Sequence, residues 1–522
     1  MQWGTPPLTQ GYTGAGVMMG IIDTGIDFHH NDFKNANGTT RIKYLWDQNM
    51  VTGGTTPMPY NYGQEWNSNA IDAGNCTHSE AAAYAGHGSN VSGIASGNGN
   101  AVNGFAGVAP QCDMVVVAVD LSANFLNAMV DAVQYIYTKA NAAGEPCVIN
   151  ASVGEYDGSH DGTDLAAQMI DAIITQNSGQ SFVCAAGNGG QIPFHLGYNI
   201  SSDSSFTWFQ YQSAINAVYL EWWSDTAGFN NVQWAIGADK PSPWVRRGHL
   251  PYYNINDFNM SSGIDSLTDT LFASGHRIGI VTTYVTRQGP DYQIATYIEA
   301  DSTNYYWRLI TKGSGRIDAW SDISYTGTSN IARTGLPTIA AFSDMSRYKY
   351  PDIKQTIVSS FTCSPHVITV ANYTNRTEFI DFNGNIQTSL TDTMGTRALS
   401  SSIGPTRDGR IKPDISAPGA RTLATGQLST LYTMINTQPW KVAQGGMHNV
   451  NGGTSMASPV VAGVAALYLQ MHPTATQQEI KDALQLSAMH DNYTGNNLPD
   501  IKWGYGKVNG YSVVKGCTVG IE

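Results

Sequence analysis

At 522 residues the chain is longer than one simple domain usually needs, so two folded units are expected. Hydrophobic residues make up 42%, ample for a large core, and charged residues only 13%. The net charge of −13 argues against nucleic acid or an anionic membrane as the main partner.

Residues 1–7 have neither the basic nor the apolar region of a signal peptide. The longest apolar run, 460–471, is too short and too interrupted to span a bilayer, so no membrane segment is expected. Cys112, Cys147, Cys184 and Cys363 lie beside apolar strand-like runs and are expected as buried free thiols. Cys76 and Cys517 complete the set, and a chain this long does not need a dense disulfide framework.

Residues 14–25 read as a turn, a buried strand and a stop, with Asp23 at the strand's C-terminal end. In open α/β sheets that edge is where sites are built, although an aspartate there is as often a turn former. No second Asp-Thr-Gly or Asp-Ser-Gly occurs, which counts against a paired-aspartate protease. Residues 47–80 are polar and read as surface loop. Residues 86–96 place His87 between glycines, with small residues at helical spacing behind it, as at the start of a helix packed tightly on a sheet. Strands are expected within 108–119, 147–154 and 182–190, and helices over 123–143 and 165–175. This alternation predicts an α/β unit with a mostly parallel sheet.

From about 195 to 355 the helical period vanishes. Alternating aromatic and β-branched runs replace it, and seven of the twelve tryptophans lie here. An inserted all-β domain is expected, sandwich-like or jelly-roll-like, between a first catalytic part at 1–194 and a second at 356–522. The α/β signal resumes with an apolar strand at 366–372, followed by a turn-rich crossing over 400–419. Gly452-Gly-Thr-Ser-Met-Ala-Ser-Pro459 then leads into a run that is apolar almost all round, as in a helix inside a large core. Ser455 falls at or near the N-terminus of that helix, where free N–H groups and the dipole favour negative charge. Thr476 and Glu479 form a capping box that opens a last helix, about 476–488.

Five of these blocks, in this order, resemble the subtilisin-like serine proteases. Asp23-Thr-Gly looks like that family's aspartate block, Gly86-His-Gly its histidine block and Gly453-Thr-Ser-Met-Ala-Ser-Pro459 its nucleophile block. Ala185-Ala-Gly-Asn188 is similar to the block with the oxyanion asparagine, and 410–419 to a further landmark. The resemblance covers about 1–194 and 356–522 and implies a three-layer subtilisin-like fold interrupted by the insertion. It implies Ser455 as nucleophile, His87 as general base and acid, Asp23 as the group that orients His87, and Asn188 in the oxyanion hole. Ser152, Val153 and Gly154, with Ala185, Ala186 and Gly187, would offer backbone edges to an extended peptide. The glycines there would leave room for a large apolar or aromatic residue before the cut. An α/β-hydrolase is excluded, because Ala457 stands where that motif needs glycine and the chain order differs.

The reaction needs no cofactor. Structural calcium is common in the family, and the resemblance puts Asp32 and the loop 98–103 at a calcium site. Ser89 and Asn90 stand where the family usually has Thr-His. The family's propeptide has no room before Asp23, so a processed form, a truncated chain or a member that folds without one is expected. A peptide or protein substrate and a secreted or cell-surface setting follow from the resemblance alone. A catalytically silent binding protein, acting through the aromatic-rich insertion, is the alternative reading.

Overall fold

Strand apolarity decides the central layer. The computed structural model describes residues 8, 10–122 and 124–516, so Ala123, at the start of an expected helix, and Cys517 lie outside the described residues. Eight strands form one sheet. They are β1 (Met18–Asp23), β2 (Ile42–Asp47), β3 (Gln64–Asn67), β4 (Asp113–Ala118), β5 (Cys147–Ala151), β6 (Gln180–Ala185), β7 (Ile368–Thr374) and β8 (Ile415–Ala420). Their order is β8-β7-β6-β5-β1-β4-β2-β3. All neighbours run parallel except the edge strand β3, which is antiparallel to β2.

Helices cover both faces, which is why the inner strands are apolar on both sides. Met19 and Ile21 of β1 enter a core with the helices His87–Ser96 and Thr454–Met471. Met18 and Ile22 point the other way, into a core with Phe125–Ala143 and Leu165–Ile174. The result is the expected three-layer α/β arrangement. Among the described residues only Thr454–Met471 is long and apolar enough to cross a membrane, and most of it is buried in the core. The capping box at Thr476 and Glu479 forms as expected, at the start of Gln477–Leu486.

Three stretches differ from the sequence reading, the first being β2, which forms where no strand is expected. Residues 47–80 contain β3 and the short helix Ser68–Asp72. Trp66 is the reason: it is buried between the exposed or half-exposed Glu65 and Asn67, so a polar segment still closes the sheet edge. The crossing over 400–419 ends in β8, whose Ile415, Ser416 and Ala417 are buried beside β7. Pro413 and Pro418 mask that strand in the sequence.

Between β6 and β7 the chain leaves this sheet. Ten strands, from His195–Ile200 to Gly315–Trp320, build one antiparallel sheet of four strands and one of six. Both contribute to one apolar core, which holds Trp222, Trp234 and Trp307. Cys112, Cys147, Cys184 and Cys363 are buried free thiols, and Cys76 is free as well.

Arg407 ties the β unit to the α/β unit. Its guanidinium reaches Asp161 of the α/β part, and Asp291 at 2.5 Å and Asp225 at 2.7 Å in the β strands. Asp161 and Asp291 are buried, so without Arg407 two carboxylates would face each other uncompensated. Arg407→Met is expected to lower the unfolding free energy by about 3–5 kcal/mol, measured as a fall in the denaturation midpoint. An unchanged midpoint would mean that the two units do not depend on this charge.

Candidate active site

The site begins at the C-terminal ends of the parallel strands. Asp23 ends β1 and is fully buried. Its Oδ1 accepts from the Thr24 N–H at 2.8 Å and the Thr24 hydroxyl at 3.2 Å. The same oxygen lies 2.7 Å from Nδ1 of His87. An ionised carboxylate only accepts, so Nδ1 carries the proton and Nε2 is left as the basic nitrogen. His87 is the first residue of the helix His87–Ser96. Gly88 permits this approach, because a Cβ there would collide with the carbonyl of Gly25.

Burial by itself lowers the pKa of His87. The charge and hydrogen bond of Asp23, with the charge of Glu80, outweigh it, and the net shift is upward from 6.5. Glu80 is held behind the pair. It accepts from the Ser89 N–H at 3.0 Å and the Ser89 hydroxyl at 2.5 Å. Ser89 thus has a local partner in place of the family's usual residue. Asn90 donates to the Thr425 carbonyl at 2.8 Å and ties the helix to the hairpin Thr422–Thr425 and His448–Asn451.

Ser455 is the second residue of Thr454–Met471 and is half-buried. Gly453 enters that helix at φ 115°, a conformation that favours glycine. The Ser455 N–H belongs to the first turn, where no intrahelical acceptor exists. Its hydroxyl donates to the Ser152 carbonyl at 3.3 Å. Asn188 follows β6 and is exposed. Its Oδ1 accepts from the N–H of Thr454, the residue before Ser455, at 3.0 Å. The structure therefore joins Asp23 to His87 and anchors Asn188 next to Ser455, but makes no hydrogen bond between His87 and Ser455. Rotation of the Ser455 side chain would exchange the Ser152 carbonyl for another acceptor, and such bonds commonly tighten only when substrate binds.

The two expected peptide edges differ. No internal backbone hydrogen bond engages Val153 or Gly154, and Gly154 is exposed. On the other side the Ala186 N–H donates to Val370 and its carbonyl accepts from Val358 at 2.9 Å. The Gly187 N–H donates to the Thr454 hydroxyl at 3.0 Å, and its carbonyl accepts from Ser402 at 2.9 Å. Ala186 and Gly187, next to Ala185, are therefore a wall and not a hydrogen-bonding edge. The sequence reading also passed over Thr454, Glu80 and Tyr156. Tyr156 accepts from the Asn188 N–H at 2.6 Å, and its closeness to Gly154 is the one local signal that pointed to it.

Asp32 does not fit a calcium ligand. Its Oδ2 accepts from the Thr425 hydroxyl at 2.7 Å and faces His448 Nε2 at 2.8 Å, while Oδ1 accepts from the Ala101 N–H at 3.0 Å. The carbonyls of Asp32, Ser96 and Cys112 converge instead on the buried guanidinium of Arg41, at 3.1, 2.6 and 2.8 Å. In the loop 98–103 the Asn98 and Asn100 amides donate to the Lys34 carbonyl. Among the described residues no group of three or more His, Cys, Asp or Glu side chains is arranged to hold a metal.

The model of the subtilase family matches residues 14–236 and 320–506. The serine protease AprX of Bacillus subtilis (strain 168) is 37% identical over 134 residues, 26% of this chain and 28% of that one. The subtilisin of Bacillus sp. (strain TA39) is 28% identical over 193 residues, 37% of this chain and 38% of that one. An uncharacterized protein, aq_aa18, of Aquifex aeolicus (strain VF5) is 36% identical over 128 residues, 24% of this chain and 52% of its own length. The chain thus spans about half or less of these curated relatives. The solved structure of the Clostridium perfringens CspB protease superposes with a TM-score of 0.70 over 97% of this chain and 93% of that one; at 22% identity this speaks to the fold.

Any rise in the thermal unfolding midpoint when calcium is added after chelation is expected to be the same in wild type and Asp32→Asn, since no metal-binding free energy is gained at Asp32. A rise that disappears in Asp32→Asn would identify Asp32 as a ligand after all.

Proposed function

The chain belongs to the subtilase family, and we propose that it is a serine endopeptidase acting through an acyl-enzyme. The observation that carries this reading is the 2.7 Å hydrogen bond between His87 and the buried Asp23, at the sheet edge where Thr454–Met471 begins. Nε2 of His87 takes the proton of Ser455 as Oγ bonds to the substrate's carbonyl carbon. The electron pair displaced onto the carbonyl oxygen meets the Asn188 amide and the Ser455 N–H. The imidazolium passes its proton to the departing amine, the C–N bond breaks, and the acyl group stays on Ser455. Water, deprotonated by His87, releases the acid and restores the hydroxyl. Asp23 stays ionised throughout and holds the tautomer. This order of aspartate, histidine and serine is that of subtilisin, the worked example of the triad, and is no independent inference.

An extended peptide would lie along Val153 and Gly154, whose backbone groups are not engaged inside the protein. The same kinship carries the reading of a secreted or cell-surface enzyme with peptide or protein substrates. No feature of the site favours a silent binding protein, since Asp23, His87, Asn188 and Ser455 are all present.

A fluorophosphonate probe is expected to label Ser455 alone, with labelling lost in Ser455→Ala and His87→Ala. No adduct on folded wild type would sink the peptidase reading. Asn188→Ala is expected to lower kcat/KM by about 10²–10³-fold, the size known for an oxyanion donor of subtilisin. The pH profile carries a separate expectation. The base works only when neutral, and its pKa is shifted upward, so the acid limb of kcat/KM should fall above 6.5. A limb below that value would show that burial outweighs Asp23.

A further inference from the structure

The parallel strands β5 and β6 are direct neighbours, with Ala151 opposite Cys184. Past their C-terminal ends the two chains continue as 152–154 and 186–188, one on each side of Ser455. Ser152 receives the Ser455 hydroxyl, and Asn188 receives the N–H of Thr454. A peptide whose carbonyl lies over Ser455 therefore directs the side chain before the scissile bond into the slot between these segments.

That slot already has an occupant. Val358 donates its N–H to the Ala186 carbonyl at 2.9 Å and is only 5% exposed. Its side chain lies between the two facing glycines. A Cβ at Gly154 would stand 2.9 Å from Val358 Cγ2 and 2.8 Å from Ser359 Oγ. A Cβ at Gly187 would stand 2.9 Å from Val358 Cβ and 2.5 Å from the Tyr156 hydroxyl. The glycines thus make room for Val358 and Tyr156, not for a substrate ring. The sequence expectation of a large residue before the cut does not fit this packing.

The floor is also braced from behind. The Tyr156 hydroxyl accepts from the Asn188 N–H, and its ring packs at 5.2 Å on Phe194 and 5.5 Å on Tyr325. Tyr156 and Val358 share one buried cluster with Phe194, Trp223 and Trp320, the last two from the inserted sheets. A large side chain could enter only by displacing close-packed groups, which interiors resist.

We propose that Val358 closes the first specificity pocket, so that the enzyme cleaves after small residues such as alanine, serine or glycine and discriminates against aromatic ones. This rests on the peptidase reading above.

The test uses the full chain and two peptidyl phosphonates, matched except for alanine or phenylalanine in the position before the reactive phosphorus. A matched pair of chromogenic peptides gives kcat/KM. Wild type is expected to favour alanine by about 10-fold or more, the scale on which a pocket rejects an oversized apolar group. In Val358→Gly that ratio should move toward phenylalanine by a similar factor, and in Val358→Ala by less. Should Val358→Gly fail to fold, the wild-type ratio still decides. Labelling of Ser455 by the general fluorophosphonate, together with equal or faster reaction of the phenylalanine probe, would overturn the pocket assignment alone. Absence of any labelling would remove the peptidase reading and this inference with it.

Discussion

Pro459 has no N–H to give to the carbonyl of Ser455, four residues earlier in the same helix, and the hydroxyl of Ser152 gives it instead at 2.9 Å. Ser152 in turn accepts from Nδ2 of Asn150 at 3.0 Å, and the Ser458 hydroxyl donates to Oδ1 of the same Asn150 side chain at 2.7 Å. These bonds join the first turn of a buried helix to the end of β5. The helix cannot slide along the sheet without stranding buried polar groups. The position of Ser455 is therefore set by a helix defect that a strand end repairs. The Thr454 hydroxyl and N–H hold Gly187 and Asn188 in the same way on the other side.

The other half of the site relies on close backbone approach. His87 reaches Asp23 because Gly88 rests on the Gly25 carbonyl. Behind them, the Thr24 hydroxyl lies within reach of both Asp23 Oδ1 and Glu80 Oε1, and the Ser89 hydroxyl donates to Glu80 Oε2. Burial raises the pKa of Glu80, the charge of Asp23 adds to that, and the Ser89 hydrogen bonds oppose it. The buried acid is supported from the histidine's own helix, so the departure at Ser89 leaves the pairing of His87 with Asp23 intact.

The inserted sheets are more than an appendage in this geometry. Arg407 bridges them to Asp161, and His195 lies between Asp318 and Asp352 at 3.1 and 2.9 Å. Next to it His160 stacks on Trp320 at 3.9 Å. The two histidines respond in opposite senses. Burial dominates at His160 and pushes it down to about 4, whereas at His195 burial is outweighed by its two carboxylates and the shift is upward. The same junction supports Tyr156 and Val358, so the β unit reaches the cleft through packing behind its floor.

Asp23, His87 and Ser455 could be placed at strand and helix ends from the sequence because each sits in a short run whose neighbours are constrained locally, whereas their roles, and that of Asn188, are what the family resemblance implies. The glycines admit a close backbone, the apolar periods mark strand and helix, and the turn residues mark where each ends. The central sheet was legible for the same reason, apart from β2, where no strand is expected from the sequence, and β3 and β8, whose polar residues and prolines interrupt the period. Val358 carried no such mark. It lies about two hundred residues beyond Gly154 in the chain and on the far side of the insertion, and only the return of the chain to β7 brings it between Gly154 and Gly187. The family resemblance put Asp32 at a calcium site, but the antiparallel pair carrying Thr425 and His448 occupies its Oδ2. Local sequence determined which chemistry the strand ends present. Long-range topology decided which side chains fill the space beside them, because such contacts depend on chain return and not on spacing.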